Sequence, residues 1–150
     1  MVSIVKATKK NSKDICPLFN SYRVFYKQES DMAASFDFIK KRLEQSEAVI
    51  FLAYIKDVPV GFTLLYKTFS SVSMQPSFIL NDLFVDSSQR KKGVGEALLN
   101  KAKEYCIEKN YKGLALETDM NNPAQKLYEK LDWKKDSHCF HYFWSANKGI

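Results

Sequence analysis

A chain of 150 residues, 45% hydrophobic and 27% charged, carries enough apolar content for one globular domain and too little length for two ordinary ones. Lys and Arg number 23 against 17 Asp and Glu, and the net charge of +6 suits an anionic partner: nucleic acid, an acidic membrane surface or a phosphate-bearing cofactor. No apolar run spans a bilayer, the first six residues lack the basic-then-apolar pattern of a signal peptide, and Cys16, Cys106 and Cys139 are too scattered for a disulfide framework or a zinc site.

The expectation is therefore a cytoplasmic protein with reduced thiols and no metal. No linker, repeat or low-complexity tract divides residues 1–150, which read as one domain. Residues 2–7 alternate as a first strand, and a helix follows over residues 11–26, with Ile15, Leu18, Phe19, Tyr22 and Tyr26 at helical spacing. A second helix starts after Ser35, a suitable N-cap, and carries Ile39 and Leu43 on its apolar stripe. The period then changes. Residues 48–55 read as a strand, Lys56-Asp57 as a turn, and residues 60–68 as the return strand of a hairpin, with Pro59 near its start. Residues 78–85 form another strand. Residues 93–110 are the clearest helix, with Val94, Leu98, Ala102, Tyr105 and Cys106 in one stripe. A short strand at 114–117, a short helix at 123–130 and an aromatic strand at 138–144 complete the chain. The order β-α-α-β-β-β-α-β-α-β predicts an α/β fold, a mixed central sheet with helices on both faces.

The sharpest local feature is Arg90-Lys91-Lys92-Gly93-Val94-Gly95, between a strand and the strongest helix. Glycine allows unusual backbone angles and a close approach to the amides. The helix start adds unpaired N–H groups and the positive end of the dipole, so the turn suits phosphate. A Walker loop is excluded because Gly95 is followed by Glu96, and a dinucleotide fingerprint because its third glycine is missing.

The turn resembles the [QR]-x-x-G-x-[GA] signature of the GNAT family of N-acetyltransferases. A second pattern of that family, N-x-x-A-x-x-[LF]-Y-x-x-x-G-[FWA], is similar to Asn121-Asn122-Pro123-Ala124-Gln125-Lys126-Leu127-Tyr128 and then Glu129-Lys130-Leu131-Asp132-Trp133. Asp132 stands where glycine is usual, and Asp tolerates the left-handed conformation of a helix end. Leu80-Asn81-Asp82-Leu83-Phe84-Val85 resembles the family's central strand, and the element order matches along essentially the whole chain.

The resemblance implies the acyl-CoA N-acyltransferase fold, acetyl-CoA as cosubstrate and acetyl transfer to an amine. It implies that the pyrophosphate lies on Arg90, Lys91, Lys92, Gly93, Val94 and Gly95. The pantetheine arm would run beside Leu83, Phe84 and Val85, with contacts from Asn121 and Ala124. It also implies the Leu83 amide as the donor to the developing oxyanion, Tyr128 as general acid, and residues 114–117 as the second wall of the slot. The amine must first lose a proton, for which Asp82, Glu117 and an ordered water chain all remain open. Polyamine acetyltransferases resemble this chain at the central strand but carry Glu-Asp where Asn81-Asp82 stands, so position 81 offers no base.

Acceptor specificity in the family comes largely from the first two helices and their loop. Here that region holds Tyr22, Tyr26, Gln28, Glu29 and Asp31, and aromatic faces with carboxylates suit a cationic amine. Tyr22, Tyr26, Glu29, Asp82 and Glu117 are the candidate substrate contacts. The expected acceptor is a small-molecule amine. A protein N-terminus or lysine, or a module that binds acetyl-CoA without turnover, are the alternatives. Nucleic-acid signatures are absent and no membrane partner is expected. The run Phe140-His141-Tyr142-Phe143-Trp144 is compatible with a homodimer through a late strand and equally with a buried strand.

Overall fold

Runs of β-branched and aromatic residues set up a sheet with two covered faces. The computed structural model describes residues 1–147. Its strands are β1 (Val2–Lys6), β2 (Val49–Ile55), β3 (Val58–Ser70), β4 (Gln75–Val85) and β5 (Leu114–Ala115), and they lie in that order across one sheet. The first four pair antiparallel and β5 pairs parallel to β4, so the sheet is mixed, as expected. The helices are α1 (Ser12–Phe25), α2 (Met32–Glu44), α3 (Val94–Glu108) and α4 (Gln125–Lys130). The described residues fall into two compact units, Met1–Glu117, which holds the whole sheet, and a smaller one from Thr118 onward.

Alternation along the strands sorts side chains between two helical layers. Ile50, Leu52, Phe62, Leu64 and Phe84 share a core with Ile15, Leu18 and Phe19 of α1 and Ile39 of α2. Each such side chain, fully buried, contributes about 1.5–3 kcal/mol. On the opposite face Phe51 meets Tyr105 of α3 edge-on at 5.4 Å, and Phe78 stacks on the same ring at 5.7 Å. The predicted α3 stripe is confirmed at Val94, Leu98, Ala102 and Cys106, all buried. Gly61 lets α3 approach β3: a Cβ there would stand 2.8 Å from the Phe84 carbonyl oxygen and 3.2 Å from Val94 Cγ1.

Four expectations change. The second helix begins at Met32, not after Ser35. Asp31 is its N-cap, accepting from the Ala34 amide at 3.0 Å, and the Asp31 amide is held in turn by Asn20 Oδ1 at 2.8 Å. Ser35 is buried inside the helix, and its hydroxyl donates to the same Asn20 oxygen. The β3–β4 hairpin is longer than its apolar pattern, because backbone pairing continues through Thr68↔Ser77, Phe69↔Pro76 and Ser70↔Gln75 without burial. The strand β5 stops at Ala115, short of the expected Glu117. Residues 138–144 form no strand: Phe140, Tyr142, Phe143 and Trp144 are exposed, so neither face of the aromatic alternation is covered. A period-2 pattern needs a paired edge and a buried side to become a strand.

Candidate active site

Midway along β4 one extra residue changes which face its side chains take. Leu65 pairs with Leu80 and Leu64 with Asp82, so Asn81 has no opposite number and bulges. Unbroken alternation would place Phe78, Leu80, Asp82 and Phe84 on one face. Instead Phe78 stacks against α3, while Phe84 packs in the core under α1 and Asp82 lines a cleft beside α1 and α2. The bulge is also where β4 and β5 part. Their ladder has only Phe78↔Leu114 and Ile79↔Ala115, and β4 runs on through Leu83, Phe84 and Val85 past its end. Thr63 Oγ1 donates to the Asp82 carbonyl at 2.8 Å and secures the backbone there.

Asp82 is only 4% exposed. Burial raises the pKa of its carboxyl, against weaker opposing hydrogen bonds from Asn81 and Tyr22. Asn81 Nδ2 donates to Asp82 Oδ1 at 2.8 Å, a bond between sequence neighbours that both line the cleft. The Tyr66 phenol is also raised, first by burial and then by the Asp82 charge.

The cleft has a volume of about 520 Å³. From α1 it takes Phe19, Tyr22 and Arg23, with Tyr26 at the helix end; α2 adds Phe38 and Ser35, and the sheet adds Tyr66, Asn81 and Asp82. Tyr22 is wedged edge-on against Tyr26 (5.0 Å), Phe62 (5.9 Å) and Phe84 (6.2 Å), and its hydroxyl reaches the Asn81 carbonyl at 3.3 Å. Phe19 and Phe38 stack at 5.6 Å. Of the expected acceptor contacts the cleft gathers Tyr22, Tyr26 and Asp82. Glu29 and Glu117 are not among its lining residues: Glu29 instead gives its backbone carbonyl to Arg23 Nη1 at 3.2 Å, and Glu117 is exposed beyond the end of β5. Sequence reasoning missed Arg23, Phe38, Tyr66 and Asn81 as lining residues. Arg23 adjoins Tyr22 on the same helical turn and was open to inspection; Asn81 needed the bulge.

The basic turn takes the conformation its glycine anticipates. Gly93 is the N-cap of α3 at φ 81° and, being glycine, offers no side-chain cap of its own; Lys91 has φ 65°. The first bond inside the helix runs from the Ala97 amide to the Gly93 carbonyl at 3.0 Å. A Cβ at Gly93 would meet nothing within 4 Å, so the space over the turn is open. Arg90 is anchored: its Nε donates to the Val85 carbonyl at 3.1 Å, and its guanidinium lies 5.9 Å from the Phe84 ring centroid and 6.0 Å from that of Phe25. Lys92 Nζ reaches Gln89 Oε1 at 3.0 Å. A glycine-led helix N-terminus and adjacent cations fit a pyrophosphate.

The second motif lies in the smaller unit. Asn121 does not cap α4 with its side chain; Asn122 Oδ1 accepts from the Ala124 amide at 2.9 Å, and Pro123 and Ala124 form the turn before the helix. Tyr128 is half-buried, its ring 5.9 Å from that of Trp133. Asp132 adopts φ 68°; the Trp133 amide donates to the Tyr128 carbonyl at 3.0 Å and the Asp132 amide to that of Glu129 at 3.2 Å. That double closure is a Schellman end, so Asp132 does fill the glycine's place.

A mixed sheet parted at a bulged central strand, with a basic glycine turn opening the next helix, is the architecture of the acyl-CoA-dependent N-acyltransferases. The family model described as the acetyltransferase (GNAT) family matches residues 13–133, and the chain belongs to that family. It is 44% identical over 142 residues to an uncharacterized N-acetyltransferase, YhfO, of Bacillus subtilis, covering 94% of this chain and 95% of that one. A crystal structure of a probable acetyltransferase superposes with a TM-score of 0.91 at 35% identity, covering 97% and 98% of the two chains. An aminoglycoside acetyltransferase from a soil metagenomic sample shares the fold at a TM-score of 0.84 and 17% identity, over 97% of each chain. The chain is an N-acetyltransferase. Among the described residues no group of His, Cys, Asp and Glu could hold a metal ion, and no helix is long and apolar enough to cross a membrane.

Proposed function

We propose that the chain works as one domain that transfers an acetyl group from acetyl-CoA to the primary amine of a small molecule. The observation that carries this reading is the buried carboxyl of Asp82 at an aromatic cleft of about 520 Å³. That volume falls in the range of roughly 300–1,000 Å³ usual for small-molecule sites. The family match from residue 13 to 133 supports treating the chain as a single acetyltransferase domain.

When bound, acetyl-CoA supplies the thioester that donates the acetyl group. Arg90, Lys91, Lys92 and the amides of Gly93, Val94 and Gly95 would hold its pyrophosphate, and the backbone of Leu83, Phe84 and Val85 would line its arm. Asn121 and Ala124 are assigned to the same arm by their places in the second motif. The Leu83 amide would be the hydrogen-bond donor to the acyl oxygen, stabilising the charge that develops there. Asp82 takes the proton from the acceptor ammonium. Its raised pKa makes it a stronger base than a solvated carboxylate. Tyr128 is assigned by the second motif to donate from Oη to the leaving sulfur.

Thiol release from acetyl-CoA across a panel of amines tests the reading. Release dependent on at least one small amine is the expected result. Release with no amine of the panel, while acetyl-CoA binds, overturns the small-molecule reading. Tyr128→Phe should lower kcat by about 10²–10⁴-fold, the usual worth of a positioned acid, with KM for acetyl-CoA little changed. An undiminished kcat removes Tyr128 from the acid role.

A further inference from the structure

Among the described residues, Arg23 is the only basic one lining the cleft and Asp82 the only acidic one. Arg23 sits on the last turn of α1, and the bond from its Nη1 to the Glu29 carbonyl ties the guanidinium to the loop before α2. That bond engages one of the five N–H donors of a guanidinium, whose planar fork matches a carboxylate. Asp82 is buried on the sheet side, between Asn81 and the phenols of Tyr22 and Tyr66. The remaining walls are largely aromatic: Phe19, Phe38 and Tyr26.

We propose that the acceptor is an amine carrying a carboxylate on the same molecule, with Asp82 receiving the amine, Arg23 receiving the carboxylate and the aromatic walls covering the chain between them. The inference rests on the small-amine reading above and narrows it. A dicationic amine finds one carboxyl in this cleft, and its second charge is left facing either aromatic rings or Arg23. A like charge at that position discriminates against polyamines. The pair Asn81-Asp82 points the same way, since it leaves a single carboxyl on the bulge. A neutral monoamine would leave the guanidinium without an anionic partner and gain nothing from it.

The test uses the 150-residue chain, acetyl-CoA and three matched series of graded spacer length: amino carboxylates, their carboxamides and the corresponding diamines. Thiol release should show kcat/KM for the best amino carboxylate exceeding that of its carboxamide by about ten- to a hundredfold, the worth of a charge-assisted hydrogen bond, mostly through KM. Arg23→Gln should erase that ratio, and Arg23→Lys should restore part of it. The wild-type ratio decides the matter even where a variant melts early. Carboxamides or diamines used as well as amino carboxylates overturn this inference alone, as does a ratio that survives Arg23→Gln. Release with no member of any series overturns the small-amine reading and this inference with it.

Discussion

Gly61 couples the packing of the sheet to the basic glycine turn proposed to hold the cofactor, and Gly61→Ala exposes that coupling. The added Cβ would lie 2.8 Å from the Phe84 carbonyl oxygen, 3.2 Å from Val94 Cγ1 and 3.4 Å from Leu98 Cδ1. Ordinary contact begins near 3.4 Å, so relief of the first clash needs a displacement of 3.4 − 2.8, about 0.6 Å. The obstructing atom is backbone, so no rotamer change removes it. Overpacking of this kind costs about 1–3 kcal/mol, and the reduced freedom of the unfolded chain returns roughly 0.4–1 kcal/mol. The net loss is about 1–2 kcal/mol. At about 2–4 °C per kcal/mol for a chain of this size, Tm should fall by about 2–8 °C. Phe84 belongs to the strand assigned to the pantetheine arm, and Val94 follows Gly93 in the turn. Relief by either route moves an element proposed to bind the cofactor, so calorimetric affinity for CoA should fall as well. Gly113→Ala is the control: a Cβ there meets nothing within 4 Å, and Tm should hold or rise slightly. An unchanged Tm in Gly61→Ala refutes the packing argument. A lowered Tm with unchanged CoA affinity refutes the coupling.

At Gly93 the strain is conformational, since φ is 81° and no atom crowds a Cβ; Gly93→Ala should cost about 1–2 kcal/mol in thermal melts and weaken CoA binding further by filling the space over the amides. Asp132→Gly should stabilise the chain by roughly 1 kcal/mol, because the Schellman end already holds that residue at φ 68°; a lower Tm would contradict it. Asp82→Asn tests the buried carboxyl through linkage. The folded state keeps the Asp82 proton to higher pH than the unfolded state, so its contribution is fully present at acid pH. It is lost as pH rises from the ordinary carboxylate range through the raised value. The Asn variant should therefore melt higher than wild type at neutral pH, lose that advantage in acid, and turn over more slowly. A variant that melts lower at neutral pH reverses the sign.

The parts legible in the sequence are those encoded over a few adjacent residues. The α3 stripe and the basic glycine turn are of this kind, because a phosphate cradle is a local backbone shape. Asp132 was legible too, since a left-handed helix end asks only that one residue accept positive φ. The cleft was half legible: Tyr22 and Tyr26 share the α1 stripe, whereas Phe38 and Tyr66 come to it from α2 and β3. The start of α2 depended on Asn20, eleven positions upstream, binding the Asp31 amide. Gly61 gave no local sign of its role, because its constraint is an approach by a helix more than thirty residues later. At residues 138–144 an alternating pattern alone suggested a strand without supplying the partner a strand requires.

The bulge at Asn81 explains why the central strand serves two ends at once. Regular pairing would turn Asp82 toward α3, where Val94, Leu98, Leu99 and Ala102 present no polar partner, and a carboxyl would be buried unpaired. It would also take Phe84 out of the core that α1 and α2 cover. One extra residue reverses both placements, so the acid reaches the cleft and the ring keeps its core. The same step brings Asn81 and Asp82 to one side, where the amide of the first can hold the carboxyl of the second at 2.8 Å. The parting of β4 from β5 begins just there, after Ile79↔Ala115, and Leu83 follows on the freed edge. The residues proposed as acceptor base and oxyanion donor, Asp82 and Leu83, are thus neighbours in sequence whose separate directions come from a single irregularity of the strand.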